Sequence, residues 1–357
     1  MSERKIAWIA YGLVALIALV TVIALMTEPK QAERTPTTAP AEVTQPAVNR
    51  QDKLVAVCLP DQSEVWADTG AQIKAELEKT GYRVNLVSGD GTTQTQSDLL
   101  LSLVEQDVDC IITAPVDSAA LAAAAEAAVQ KDIPVISYGT LWMDTAAVRG
   151  YICYDYFAMG EAIAQQAVEK LDLANGTEKR TVELFMGAPE DSNAKMLYEG
   201  IVSRLQPFVE KGVLQYISGR SAFEDCCIAD WSDITAEKQL AGRLKKYPEG
   251  TAPDLCICAS DGIAAGVIRG LQGARVSPEN WPLITGNGAT AAGLQNIADG
   301  KQTLTISTDP ALPAAKCGAM VDMAIYDFVP SFPLKSVNNN VTQVPTAVCA
   351  FDLVSEE

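Results

Sequence analysis

"DLCICASDGIAAGVIRGL", residues 254–271, decides the fold of this chain. The opening apolar run reads as a buried strand, and the Gly- and Ala-rich run that follows reads as a helix. Ser260 and Asp261 therefore stand at the tip of a strand, where an open α/β sheet presents groups to a ligand. The same alternation extends outward in both directions. Upstream, "KLVAVCLP" (53–60), "YRVNLVSG" (82–89), "VDCIITAP" (108–115) and "IPVISYG" (133–139) are strand-like and separated by amphipathic helical stretches. The helical stretch at 117–132 offers Asp117 as its cap. Downstream, "PLITGNG" (282–288) repeats the pattern. Nearly continuous apolar strands alternating with helices predict parallel sheets covered by helices. About ten strands exceed one modest core, so two doubly wound lobes are expected.

The formal net charge is −18, and Lys and Arg are not clustered, which argues against nucleic acid as a partner. There is no histidine, so imidazole-activated nucleophiles and imidazole metal ligands are excluded. The nine cysteines are an odd number and sit mostly in apolar runs, as small buried hydrophobes do. Cys256 and Cys258 lack a second ligand pair at zinc spacing, so no metal site is expected. Cys226 and Cys227 read either as a vicinal disulfide or as two loop thiols. No paired-carboxylate spacing or nucleotide loop points to catalysis or a cofactor: "GNGATAAG" lacks the third glycine of a dinucleotide loop.

Residues 6–26, "IAWIAYGLVALIALVTVIALM", carry no charge and are long enough to cross a bilayer. Arg4 and Lys5 before them favour an inside N-terminus and an extracytoplasmic remainder. No small-residue cleavage pattern follows, so an uncleaved membrane anchor is favoured over a signal peptide. Residues 27–51, rich in Pro, Thr, Ala and Gln, read as a disordered tether.

From residue 52 to the end, the chain resembles the periplasmic monosaccharide-binding proteins of bacterial ATP-binding-cassette (ABC) importers. The resemblance rests on segments in the family's order: 81–121, "AVQKDIPVISY" (128–138), "ELFMGAPEDSNAKMLYEG" (183–200), "YISGRSAF" (216–223), "WSDITAEKQLAGRL" (231–244), "SDGIAAGVIRGL" (260–271) and 284–309. It implies a periplasmic-binding-protein type I fold: two Rossmann-like lobes joined by a three-strand hinge. The implied first lobe is 52–154 with 309–341, and the second is 155–308 with 342–357. The crossings would lie near Tyr154-Asp155, Thr308-Asp309 and 341–345. It also implies a monomeric solute receptor, not an enzyme, closing on a small polar ligand, expected to be a sugar, and delivering it to an ABC permease. A membrane-tethered sensor presenting its closed form to a chemoreceptor or histidine kinase is the other reading.

By the same resemblance, Trp66 and Trp231 occupy positions where relatives place aromatic rings, Trp231 stacking on the sugar. Asp191, Asn193 and Lys195 fall where relatives hydrogen-bond hydroxyls, although Asp191 could instead cap a helix. Ser260 would touch the ligand while Asp261 orders the turn. Glu64, Tyr138, Thr140, Asp155, Asn287 and Thr308 complete the candidate set, and Tyr138, Trp142, Tyr154 and Tyr156 serve either as aromatic surface or as packing. The chain departs from its relatives at four places. Gly139-Thr140 replaces an Asp-Arg clamp, Gly288 replaces an Asp, Thr308 replaces a longer polar side chain, and Val65 replaces an Arg. These losses leave the ligand class open between a sugar, a larger or less hydroxylated molecule, a nucleoside and a furanone.

Overall fold

A computed structural model describes residues 48–356. The anchor and most of the tether lie outside the described residues, among which no helix is long and apolar enough to cross a membrane. In chain order the strands are β1 (Leu54–Leu59), β2 (Arg83–Ser88), β3 (Cys110–Thr113), β4 (Val135–Tyr138), β5 (Val148–Tyr154), β6 (Arg180–Phe185), β7 (Leu214–Gln215), β8 (Leu255–Cys258), β9 (Leu283–Thr285), β10 (Leu304–Ser307), β11 (Lys335–Asn338), β12 (Gln343–Cys349) and β13 (Asp352–Ser355). The helices are α1 (Glu64–Thr80), α2 (Thr93–Glu105), α3 (Ala122–Gln130), α4 (Tyr156–Lys170), α5 (Ser192–Glu210), α6 (Phe223–Cys226), α7 (Asp233–Leu244), α8 (Asp261–Gly273), α9 (Ala291–Ala298) and α10 (Ala311–Tyr326).

The strands form two sheets, ordered β11-β12-β5-β4-β3-β1-β2 and β13-β10-β9-β8-β6-β7. Pairing is parallel except where the edge strands β11 and β13 join. Alternation along β1 shows why the first sheet must be covered on both faces. Ala56 and Cys58 enter one core cluster with α2 and α3, while Val55, Val57 and Leu59 enter the other with α1 and α10. The second lobe gathers α4 to α8 around its own core. There α4 and α5 cross at backbone contact, since a Cβ on Gly200 would stand 2.1 Å from the Phe157 carbonyl oxygen.

Several expectations change. Among the described residues there are thirteen strands, against about ten expected. The additions include the polar edge strands β11 and β13, whose side chains are mostly exposed and carry no apolar pattern, while the expected strand at 214–219 is paired over only two residues, as β7. The boundary expected at 341–345 falls at a hairpin instead: β12 stays in the first sheet beside β5, and the chain reaches the second sheet only at β13. Backbone pairing of 346–349 with 151–154 holds that segment in the first lobe. The helix expected from Asp117 begins at Ala122, and Asp117 accepts instead from the N–H groups of Ala119 and Ala120 in the preceding turn. The expected tether also ends early. Arg50 donates from Nε and Nη2 to the two oxygens of Asp322 at 2.7 and 2.8 Å, and Tyr82 donates to the same carboxylate at 2.6 Å. All nine cysteines are free thiols; Cys227 lies 3.2 Å from the Phe223 carbonyl oxygen through its Sγ.

Candidate functional site

The C-terminal ends of the strands carry the candidate residues, and the hinge brings tips of both sheets together. Tyr154 ends β5, packs on the cores of both lobes, and donates its hydroxyl to the Asp309 carbonyl just past β10 at 2.7 Å. Tyr156, half-buried, has its hydroxyl pKa pushed up to about 12 by burial and then by the charge of Asp191. Hinge and second-lobe tip therefore lie within electrostatic reach of one another.

Asp155, between these tyrosines, is committed to structure through both oxygens. One accepts from the Ala158 N–H at 3.0 Å, capping α4, and the other accepts from Lys335 Nζ of β11 at 2.7 Å. Burial works to raise the Asp155 pKa, but Lys335 and the Ala158 N–H outweigh it and hold the carboxyl below its ordinary value. Lys335 had no sequence signal: it stands in an unpatterned stretch 180 residues from its partner.

In the first lobe, Trp66 is half-buried on the first turn of α1 and packs on the cluster that contains Tyr138. Tyr138 is only 6% exposed and Trp142 only 1%, so both are core side chains and not free aromatic surface. Gly139 follows β4 with φ +71, and its carbonyl accepts from the Tyr151 hydroxyl at 2.8 Å. Thr140 beside it is half-buried and donates its N–H to the Tyr138 carbonyl. Glu64 opens α1, and its side chain lies outside the described residues. Among the described residues no hydrogen bond or ring contact links Trp66 or Thr140 to the second-lobe group.

In the second lobe, Asp191 caps α5, accepting from the N–H groups of Asn193 and Ala194 at 2.8 and 3.1 Å. Asn193 is half-buried and its side-chain amide makes no hydrogen bond among the described residues, whereas Lys195 is exposed. Ser260 caps α8 through the Ile263 N–H at 3.2 Å. Asp261 is buried and accepts from Thr305 Oγ1, Gln302 Nε2, the Thr290 N–H and Thr290 Oγ1 at 2.7 to 3.1 Å. Its own N–H donates to the Asn287 carbonyl at 3.0 Å. Asp261 thus ties Asn287 through its N–H, and the segment after β9 and β10 itself through its carboxylate, to the tip of β8 that carries Ser260.

Trp231 is the exposed aromatic of this group. It is 37% exposed and has φ +51, a left-handed backbone that is rare for a bulky residue. Its N–H donates to the Ile228 carbonyl at 3.0 Å, and Ile228 is tied through its own N–H to the Met186 carbonyl beyond β6. Behind the loop, Arg243 is buried against Glu183 at 3.2 Å and donates from Nη2 to Gln239 Oε1 at 3.0 Å, and the Gln239 amide donates to the Cys227 carbonyl at 2.8 Å. Sequence reasoning missed this chain of contacts. An Arg on a mostly polar helix carries no mark of burial.

Residues 55–326 match the family model described as "Periplasmic binding protein domain". The chain is 27% identical over 305 residues to the multiple sugar-binding periplasmic receptor ChvE of Rhizobium radiobacter, covering 84% of this chain and 86% of that protein. It is similar in structure to an ABC transporter solute-binding protein from Clostridium phytofermentans with bound β-D-glucose, at a TM-score of 0.76 and 30% identity, covering 85% of this chain and 94% of the other. A carbohydrate transporter solute-binding protein from Chloroflexus aurantiacus, in complex with D-glucose, is similar at a TM-score of 0.71 and 25% identity, covering 84% and 92%.

Proposed function

This chain belongs to the periplasmic binding protein family of ABC-transporter solute receptors, a family of type I fold that does no catalysis, and on that premise we propose that it captures a monosaccharide between its lobes for delivery to an importer permease. The observation that carries the sugar class is the company Trp231 keeps: a part-exposed indole at the end of a β/α unit that also holds Asn193, whose amide has no partner among the described residues. An aromatic ring takes the C–H face of a sugar, and amide or hydroxyl groups replace the water lost by its hydroxyls. Ser260 and Asn287, held in register by Asp261, supply further polar groups. The sugar-bound relatives support the same class. Trp66, Thr140 and Thr308 contribute from the first lobe and hinge, and binding favours the closed arrangement through contacts made with both lobes at once. Asp155 and Asp191 act mainly by holding helices α4 and α5 in place. In the full chain, residues 6–26 tether this monomeric receptor to the outer face of the membrane.

A thermal-shift screen of the purified chain against monosaccharides, sugar alcohols, nucleosides and amino acids tests the reading. A monosaccharide at 100 times its dissociation constant should add about 2.7 kcal/mol of stability. A nucleoside or amino-acid response in its place would overturn the substrate class. No response from any neutral metabolite, with the fold intact, would overturn the receptor reading itself.

A further inference from the structure

Gly187 lies two residues beyond the end of β6, and a Cβ built on it would meet Trp231 at 2.0 Å from Cζ2, 2.2 Å from Cη2 and 2.7 Å from Cε2. All three nearest atoms belong to that one indole. The distances also fix which part of the ring is involved. Outside the ring, a point in its plane at the first two distances would stand well beyond 2.7 Å from Cε2, so the Cβ position lies out of the plane, above the Cζ2–Cη2 edge of the six-membered ring. One face of Trp231 is therefore laid on the Gly187 backbone, in a residue that as a whole stays part-exposed. Gly187 has no positive φ, so its own backbone would accept alanine. The closest obstacles to a side chain there are the ring atoms.

The loop brings the ring to this seat by several independent contacts. Met186 pairs with Cys227 as an isolated parallel bridge, and the Ile228 N–H donates to the Met186 and Gly187 carbonyls at 3.1 and 3.3 Å. Beyond the ring, Asp230 accepts from the Ser232 N–H at 3.1 Å and from Thr235 Oγ1 at 2.9 Å, and Ser232 caps α7. These contacts clamp the backbone on both sides of a residue in a strained left-handed conformation.

We infer that Gly187 is a positioning residue for ligand recognition: its bare backbone is the seat that fixes the pose of Trp231, leaving a single ring face to pack on a cyclic ligand. The inference rests on the reading of Trp231 as the residue that stacks on the sugar. A side chain at 187 lifts the indole into the space that the ligand ring would fill. The site thus selects ligands by the height of the ring above β6 as well as by its chemistry.

The test compares the full-length chain, Gly187→Ala, Trp231→Ala and the double variant, with D-glucose, D-galactose and D-xylose as probes. Two readouts are taken: dissociation constants by calorimetry, and the near-UV circular dichroism band of Trp231, defined as wild type minus Trp231→Ala. The expected result is that Gly187→Ala weakens binding roughly tenfold or more and alters the Trp231 band, yet has no further effect on affinity when Trp231 is already alanine. An unchanged Trp231 band in Gly187→Ala would overturn the seat, and so would equal losses of affinity in both backgrounds. If the band changes but none of the sugars binds the wild type, the seat stands and the sugar reading falls. Melting temperatures taken alongside separate loss of pose from loss of fold.

Discussion

Trp231 concentrates the tension between stability and use at a single position. A left-handed backbone at a non-glycine residue costs on the order of 1 kcal/mol or more, and here the residue is among the bulkiest available. The cost predicts an unusual ordering. Trp231→Gly should be more stable than Trp231→Ala by about 1 kcal/mol, the reverse of what a helix or strand position gives, and urea denaturation of the two variants measures it. Alanine equal to glycine would mean that the loop relaxes once the ring is gone. Asp261 represents the opposite kind of residue, a carboxylate whose oxygens are filled by internal donors, so its charge serves geometry and leaves recognition to Ser260 and Asn287.

Strand β6 and helix α7 are joined by a polar contact that a hydrophobic core would ordinarily exclude. Glu183 accepts from the Ser218 N–H and hydroxyl, the Tyr247 hydroxyl and Arg243, whose guanidinium lies 4.1 Å over the Phe185 ring. Both charged side chains are almost entirely buried, at 0% and 2% exposure. Each charge is tolerable only with the other. Removing the cation alone, as in Arg243→Met, should cost about 3–5 kcal/mol by leaving a buried carboxylate uncompensated. Adding Glu183→Gln should recover part of that loss, and chemical denaturation of the single and double variants checks both figures. Since Arg243 and Gln239 also brace Cys227, the same element holds the loop on which Trp231 sits.

Across the whole molecule, the contact of most consequence for lobe motion is Lys335 with Asp155. It ties an edge strand of the first sheet to the cap of the first helix of the second lobe. Lys335 is 63% exposed, so the pair is worth only about 0.2–1 kcal/mol. A contribution of that size can still shift a hinge equilibrium several-fold. Asp155 has its pKa lowered in the folded state, so its stabilisation is present above the unfolded carboxylate value of about 3.9 and disappears as pH falls through the lower folded value. Lys335→Met should therefore melt below the wild type at pH 7, with the gap closing in acid as pH falls through the lowered Asp155 value. Melting curves across pH read this directly, and a gap that persists in acid would assign it to lost packing.

Alternation of apolar runs with amphipathic stretches was enough to reveal a doubly wound α/β chain with two lobes, because strands buried on both faces must be apolar at nearly every position. Composition excluded histidine chemistry and argued against nucleic acid, and the order of short segments pointed to the family. The polar edge strands β11 and β13 escaped because pairing along one edge requires backbone atoms and no apolar pattern. Residue types at the strand tips were legible, but their duties were not: whether Asp155 or Asp191 caps a helix or faces a ligand depends on where backbone N–H groups point. The seat of Trp231 on Gly187, the bond from Lys335 to Asp155 and the placement of β12 in the first sheet came only from the tertiary structure. Each joins residues far apart in the chain, and local sequence carries no record of such a meeting, since contact energy depends on positions in space.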